Sequence, residues 1–147
     1  MEVPDAGEYK PRDWPGPQKG TAAMITRMDG YVGRIFEKLT SLGIDEHTIV
    51  FLSSDNGPHA EGGNDPYFFD SMGPLQGYKR SFHDGGIRVP LIVRWPGKVS
   101  PGIESETPWY FADVLPTVVD MLDGENPDGI DGVSVLPTLL GEEQDLS

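Results

Sequence analysis

The segment that most restricts the fold is Thr48-Ile49-Val50-Phe51-Leu52-Ser53-Ser54. Its apolar residues follow one another without alternation, and the run is too short for a buried helix. A strand that is apolar on both sides needs cover on both faces, as in a parallel sheet flanked by helices. The run stops at Asp55-Asn56-Gly57-Pro58, where every residue favours a turn. Upstream, Met24, Ile25, Met28, Tyr31, Val32, Ile35, Leu39 and Leu42 recur at spacings that put them on one helical face. The spacing predicts a helix from Thr21 to Leu42, capped by Thr21 and stopped by Gly43. Gly30 and Gly33 each weaken that helix by about 1 kcal/mol relative to alanine, so a neighbour approaching the backbone closely is expected there. A helix followed by a buried strand is half of an α/β unit.

The remainder extends that pattern. Residues 1–18 are rich in proline, glycine and charge and read as an irregular segment, with residues 19–147 as one domain. Residues 59–86 form a long loop, and loops of that length in compact domains are usually functional. Arg88 to Trp95 reads as a second strand, closed by Pro96-Gly97, and Trp109 to Leu122 as a second helix with Pro116 in its first turn. The chain carries 19 glycines and 14 prolines, and its apolar fraction is 37%. Because the apolar residues come in runs, this composition means long loops rather than disorder. A net charge of −13 argues against nucleic acid, which needs a basic surface, and suits hard cations. Without cysteine there is no disulfide, thiolate metal site or cysteine nucleophile. No apolar run spans a membrane, and no signal peptide follows Met1.

Several residues can carry chemistry. Asp55 and Asn56 sit at the carboxyl end of the first strand, the edge where open α/β sheets bind ligands. A carboxylate beside an amide carbonyl offers hard oxygens suited to Ca²⁺ or Mg²⁺ rather than Zn²⁺. Taken alone, the tetrapeptide also reads as a plain turn. Lys79, flanked by glycine in Gly77-Tyr78-Lys79-Arg80, can present a point charge to an oxyanion or simply face solvent. His59 and His83 can act as acid, base or donor near neutral pH, although loop histidines are often incidental. Asp84-Gly85-Gly86 and Arg88 read as a tight turn into a strand, with a guanidinium able to pair a carboxylate. Ser53 and Ser54 lack the surroundings of a nucleophile elbow.

Together these segments resemble the sulfatase family, within the alkaline-phosphatase-like superfamily. The likeness is carried by Thr48 through His59, by Gly73-Pro74-Leu75-Gln76-Gly77-Tyr78-Lys79-Arg80, and by Gly85 through Gly97. Asp29-Gly30-Tyr31-Val32-Gly33-Arg34, Asp113-Val114-Leu115-Pro116-Thr117 and Asp131-Gly132-Val133-Ser134 add to it. The resemblance implies an α/β sandwich with a mainly parallel central sheet flanked by helices, of which residues 19–147 are a partial catalytic domain. It implies hydrolysis of sulfate esters, aryl or carbohydrate, by a hydrated formylglycine made from a Cys/Ser-x-Pro-x-Arg motif. It also implies a Ca²⁺ ion with Asp55 and Asn56 among its ligands, Lys79 on the sulfate and leaving oxygen, and His59 near the substrate pocket. Members of the family usually work outside the cytoplasm.

The departures are as informative. The formylglycine motif is not encoded in this chain, nor is the Asp-Asp pair that supplies further calcium ligands in the family. The chain by itself is therefore expected to be inactive, with a separate N-terminal half of the same enzyme as a partner. Two alternatives stand beside this reading. One is a non-catalytic binding or complementing fragment derived from a sulfatase. The other is a phosphodiesterase or phosphonate hydrolase relative, which typically carries Asp-His where this chain has Asp55-Asn56.

Overall fold

A proline-rich entry, rather than Thr21, begins the long helix. In the computed structural model, which describes residues 5–144, α1 spans Gly16–Ser41 with extended Pro15 as its N-cap and Pro17 in its first turn. Proline suits that position: its φ is already helical, and the N–H it lacks would have no intrahelical acceptor. Part of the stretch read as irregular is therefore the start of the helix, while residues 1–4 of that segment and 145–147 of the domain lie outside the described residues. The stop is as expected, with Gly43 left-handed at φ +67°. The close neighbour expected at Gly30 and Gly33 is not there, since a Cβ at either would meet nothing within 4 Å among the described residues.

By contacts the chain divides into two compact units, Met1–Asp45 with Phe51–Ile92, and Glu46–Val50 with Val93–Ser147. In the first, Tyr9 Oη lies 2.8 Å from Thr26 Oγ1, and Thr21 Oγ1 donates to Asn64 Oδ1 at 2.8 Å, tying α1 to the preceding turn and the following loop. That loop is folded: Trp14 meets Phe68 and Phe69 edge-on at 5.9 and 5.1 Å, and Met72 is buried. The expected apolar face of α1 is uncovered. Ile25, Met28, Tyr31, Ile35 and Leu42 each expose between 51% and 56% of their surface.

Two strands, β1 (Val50–Ser53) and β2 (Leu91–Arg94), form one sheet. Ser53 Oγ, at the end of β1, donates to the Pro90 carbonyl just before β2 at 2.9 Å, and the pair is antiparallel. The mainly parallel sheet implied by the resemblance involves more strands than this pair. Both strands are shorter than their apolar runs: residues 48–49 and 54, and 88–90 and 95, have no regular structure, and a one-turn helix α2 (Asp84–Ile87) ends just before the second run. Nor are they buried on both faces: Leu52 and Ile92 remain 36% and 58% exposed. An apolar run reports the need for cover, and no described element supplies it here.

In the second unit a 3₁₀ turn at Phe111–Asp113 leads into α3 (Val114–Met121), with Pro116 in its first turn. The tail then closes with α4 (Leu136–Leu140). Asp113, 1% exposed, organises this unit. Its Oδ2 accepts from the Tyr110 N–H at 3.0 Å and its Oδ1 from the Val133 N–H at 2.9 Å. Thr117 donates to the Asp113 carbonyl at 2.6 Å and accepts from the Val135 N–H at 3.0 Å.

Candidate functional site

Three backbone stretches meet where side chains cannot fit. A Cβ at Gly57 would fall on the Gly85 carbonyl, one at Gly85 on the Gly77 carbonyl, and one at Gly86 on the Ser81 carbonyl. This closeness permits the hydrogen bonds that join them. Gly57 N–H donates to the Gly86 carbonyl at 2.9 Å, Gly85 N–H to the Gln76 carbonyl at 2.8 Å, and Lys79 N–H to the Pro58 carbonyl at 2.8 Å. The turn leaving β1 is thereby fixed to the segment that bears Lys79.

Beside this junction lies a cavity of about 400 Å³ lined by His59, Ala60, Glu61, Tyr78, Lys79, Arg80 and Ser81. The structure thus brings two of the sequence-nominated residues, His59 and Lys79, onto one wall system. His59 Nδ1 accepts from the Glu61 N–H at 3.0 Å. A neutral imidazole that accepts at Nδ1 carries its proton on Nε2, so Nε2 is a donor. Lys79 is partly sheltered, 34% exposed at the side chain, against 79% for Arg80. Both cations face Glu61, at 3.9 Å from Lys79 Nζ and 2.7 Å from Arg80.

Asp55 and Asn56 line a neighbouring position, not the cavity itself. Asp55 is exposed and Asn56 half-buried. Asn56 Nδ2 donates to the Gly57 carbonyl at 3.1 Å, and the Ser54 hydroxyl holds the Asn56 carbonyl at 2.9 Å. With its NH₂ engaged, the amide presents Oδ1 as its acceptor. The donor chemistry, one carboxylate and one amide oxygen, fits a hard cation. It is a partial set, since Ca²⁺ takes about six to eight oxygens, and no group of three or more His, Cys, Asp or Glu is placed to hold a metal among the described residues.

The other nominated residues stand outside the cavity lining. His83 is exposed, does not line the cavity, and donates its N–H to Ser81 Oγ at 3.1 Å. Arg88 pairs with Asp84 at 3.6 Å, the carboxylate partner expected of it. The hydroxyls of Ser53 and Ser54 are bound to backbone carbonyls. Glu61 was not singled out by sequence reasoning; a lone glutamate in a loop carries no motif, and its place between two cations emerges only when the loop folds.

Comparison with known proteins agrees with this architecture. The sulfatase family profile matches residues 19–124. Steryl-sulfatase of Rattus norvegicus is 42% identical over 124 residues, which cover 82% of this chain and 22% of that protein. N-acetylgalactosamine-6-O-sulfatase of Bacteroides thetaiotaomicron is 32% identical over 128 residues, covering 82% and 25%. This chain therefore spans about a fifth to a quarter of the length of these relatives. Among solved structures, a sulfatase from glycosaminoglycan metabolism in Bacteroides thetaiotaomicron superposes with a TM-score of 0.71 at 33% identity, covering 81% of this chain and 26% of that one. A phosphonate monoester hydrolase from Silicibacter pomeroyi superposes with a TM-score of 0.61 at 27% identity, covering 92% and 26%. With the profile matched over most of its length and the fold shared, the chain belongs to the sulfatase family.

Proposed function

We propose that this chain supplies part of the active site of a sulfate-ester hydrolase, and that it turns over no sulfate ester by itself. The observation that carries the reading is the joint placement of Lys79 and His59 on one cavity, anchored by the Lys79–Pro58 backbone bond to the turn bearing Asp55 and Asn56. In this reading the Lys79 ammonium meets the sulfate oxygens and stabilises charge developing on the leaving oxygen. The Nε2–H of His59 adds a donor at the same cavity. Asp55 and Asn56 Oδ1 contribute two ligands to a Ca²⁺ ion, which when bound withdraws charge from the sulfate oxygens. The nucleophile, a formylglycine, is encoded by no Cys and no Ser-x-Pro-x-Arg in this sequence, so the site is completed by another segment of the enzyme. Substrates of the steryl or carbohydrate sulfate class fit the names of the relatives, and an extracytoplasmic location fits the family. Among the described residues, no helix is long and apolar enough to cross a membrane.

A phosphonate or phosphodiester hydrolase is the second reading, favoured by the superposition on the Silicibacter enzyme. Asn56 weighs against it, because an amide oxygen suits calcium whereas imidazole suits zinc. The test has two arms. The purified chain is offered 4-nitrophenyl sulfate, with no turnover expected; turnover abolished by Lys79→Ala would overturn the incomplete-site reading. The complete enzyme is then analysed for metal: calcium, lost on Asp55→Ala or Asn56→Ala, supports the sulfatase, and zinc or manganese supports the relative.

A further inference from the structure

We propose that Glu61 is a positioning residue for this anion site: it occupies Arg80 and leaves Lys79 as the cation that meets the substrate anion. The inference rests on the sulfatase reading and deepens it. The two contacts of the carboxylate are unequal. Glu61 Oε1 lies 2.7 Å from an Arg80 guanidinium nitrogen, a charge-assisted hydrogen bond, while Oε2 lies 3.9 Å from Lys79 Nζ, beyond hydrogen-bond range. The Arg80 guanidinium has Glu61 as a hydrogen-bonded partner, whereas Lys79 Nζ makes no hydrogen bond to it and remains available to a new acceptor. Arg80 also holds a left-handed φ of +77°, a conformation that non-glycine residues seldom adopt. The backbone of the same residue acts on the third group, since the Glu61 N–H binds His59 Nδ1. One residue thus binds Arg80 and His59 and faces Lys79, all three of which line the cavity.

The consequence is a difference between binding and turnover. Two unpartnered cations would grip substrate and sulfate product alike, and such uniform binding does not raise the rate of the chemical step. With Arg80 drawn to Glu61, the ground-state anion is held mainly by one ammonium and leaves more readily.

Inorganic sulfate titrated into the purified protein, followed by the ¹⁵N side-chain signals of Lys79 and Arg80, tests this. In the unsubstituted protein the Lys79 signal moves and the Arg80 signal does not. In Glu61→Gln both move, and the sulfate Kd falls about two- to fivefold, the range for loss of an exposed ion pair. Glu61→Asp restores the original pattern. A merely structural role would weaken sulfate binding instead of tightening it. Glu61→Gln keeps the backbone N–H, so an unchanged His59 ¹⁵N tautomer pattern reports an intact loop; if that pattern is lost, the Arg80 response of the unsubstituted protein decides. Equal responses of Lys79 and Arg80 without substitution, or unchanged or weaker sulfate binding in an intact Glu61→Gln protein, overturn the role of Glu61. Silence of Lys79 in every variant instead overturns the anion reading of the cavity, and this proposal with it.

Discussion

Asp113 and Thr117 show how much structure two side chains can hold. Both are almost fully buried, and between them they satisfy three backbone N–H groups and one carbonyl. Removing one partner from a buried pair leaves the other unsatisfied, at about 1–3 kcal/mol per group. Thr117→Val keeps the shape and deletes the hydroxyl, so the buried Val135 N–H loses its acceptor and the Asp113 carbonyl loses the hydroxyl donor. A loss of about 2 kcal/mol is expected, read as a lower urea midpoint at unchanged slope. Asp113→Asn turns an NH₂ toward one of two N–H donors and is expected to cost at least as much. Ser134→Ala provides the contrast. Its hydroxyl donates to Asp120 at 2.7 Å and accepts from the Leu136 N–H at a longer 3.3 Å, at a half-buried position, and its removal should cost no more than about 1 kcal/mol. If Thr117→Val and Ser134→Ala prove equally mild, the polar stitch is not what secures α3 to the tail.

Among elements, the junction of Gly57, Gly85 and Gly86 sets the spacing between the turn after β1 and the segment carrying Lys79. Alanine at Gly57 would force its methyl onto the Gly85 carbonyl, and backbone, unlike a side-chain tip, cannot swing aside. Gly57→Ala is therefore expected to destabilise by about 2–3 kcal/mol and to raise the amide exchange rate of Lys79, whose N–H is bound to Pro58. Gly30→Ala, with open space around it, should instead stabilise α1 by up to about 1 kcal/mol. The same comparison shows what the sequence could reveal. Both strands, the Gly43 stop and the pairing of Arg88 were legible because each is a local pattern. The start of α1 was not, since a proline that opens a helix and a proline in a loop are the same letter. Gly30 and Gly33 suggested a close neighbour that the described residues do not provide, while Gly57 and Gly85-Gly86 have one. The cavity was half legible: His59 and Lys79 were nominated by the family resemblance rather than by residue type, and the carboxylate of Glu61 joins them only through the fold of residues 59–81.

At the scale of the whole molecule, the apolar surface is the most telling feature. Ile25, Met28, Tyr31, Ile35 and Leu42 lie on one stripe of α1, and Leu115, Val118 and Leu122 on α3 are also exposed. An exposed apolar stripe such as that of α1 marks an interface or a liability to associate. The matched region amounts to 22% of rat steryl-sulfatase, so a complete enzyme of the family has far more chain with which to cover such surface. The 147-residue chain on its own is accordingly expected to self-associate as its concentration rises, despite a net charge of −13 that opposes it. Replacing Ile25 with Glu, Met28 with Lys and Ile35 with Glu would break the stripe while leaving good helix formers in place. Sedimentation velocity should then show the substituted chain nearer the monomer mass at concentrations where the parent is associated, with unchanged far-ultraviolet circular dichroism. A parent chain that sediments as a monomer throughout would mean that charge repulsion outweighs the exposed stripe, and that its apolar residues need no partner to remain in solution.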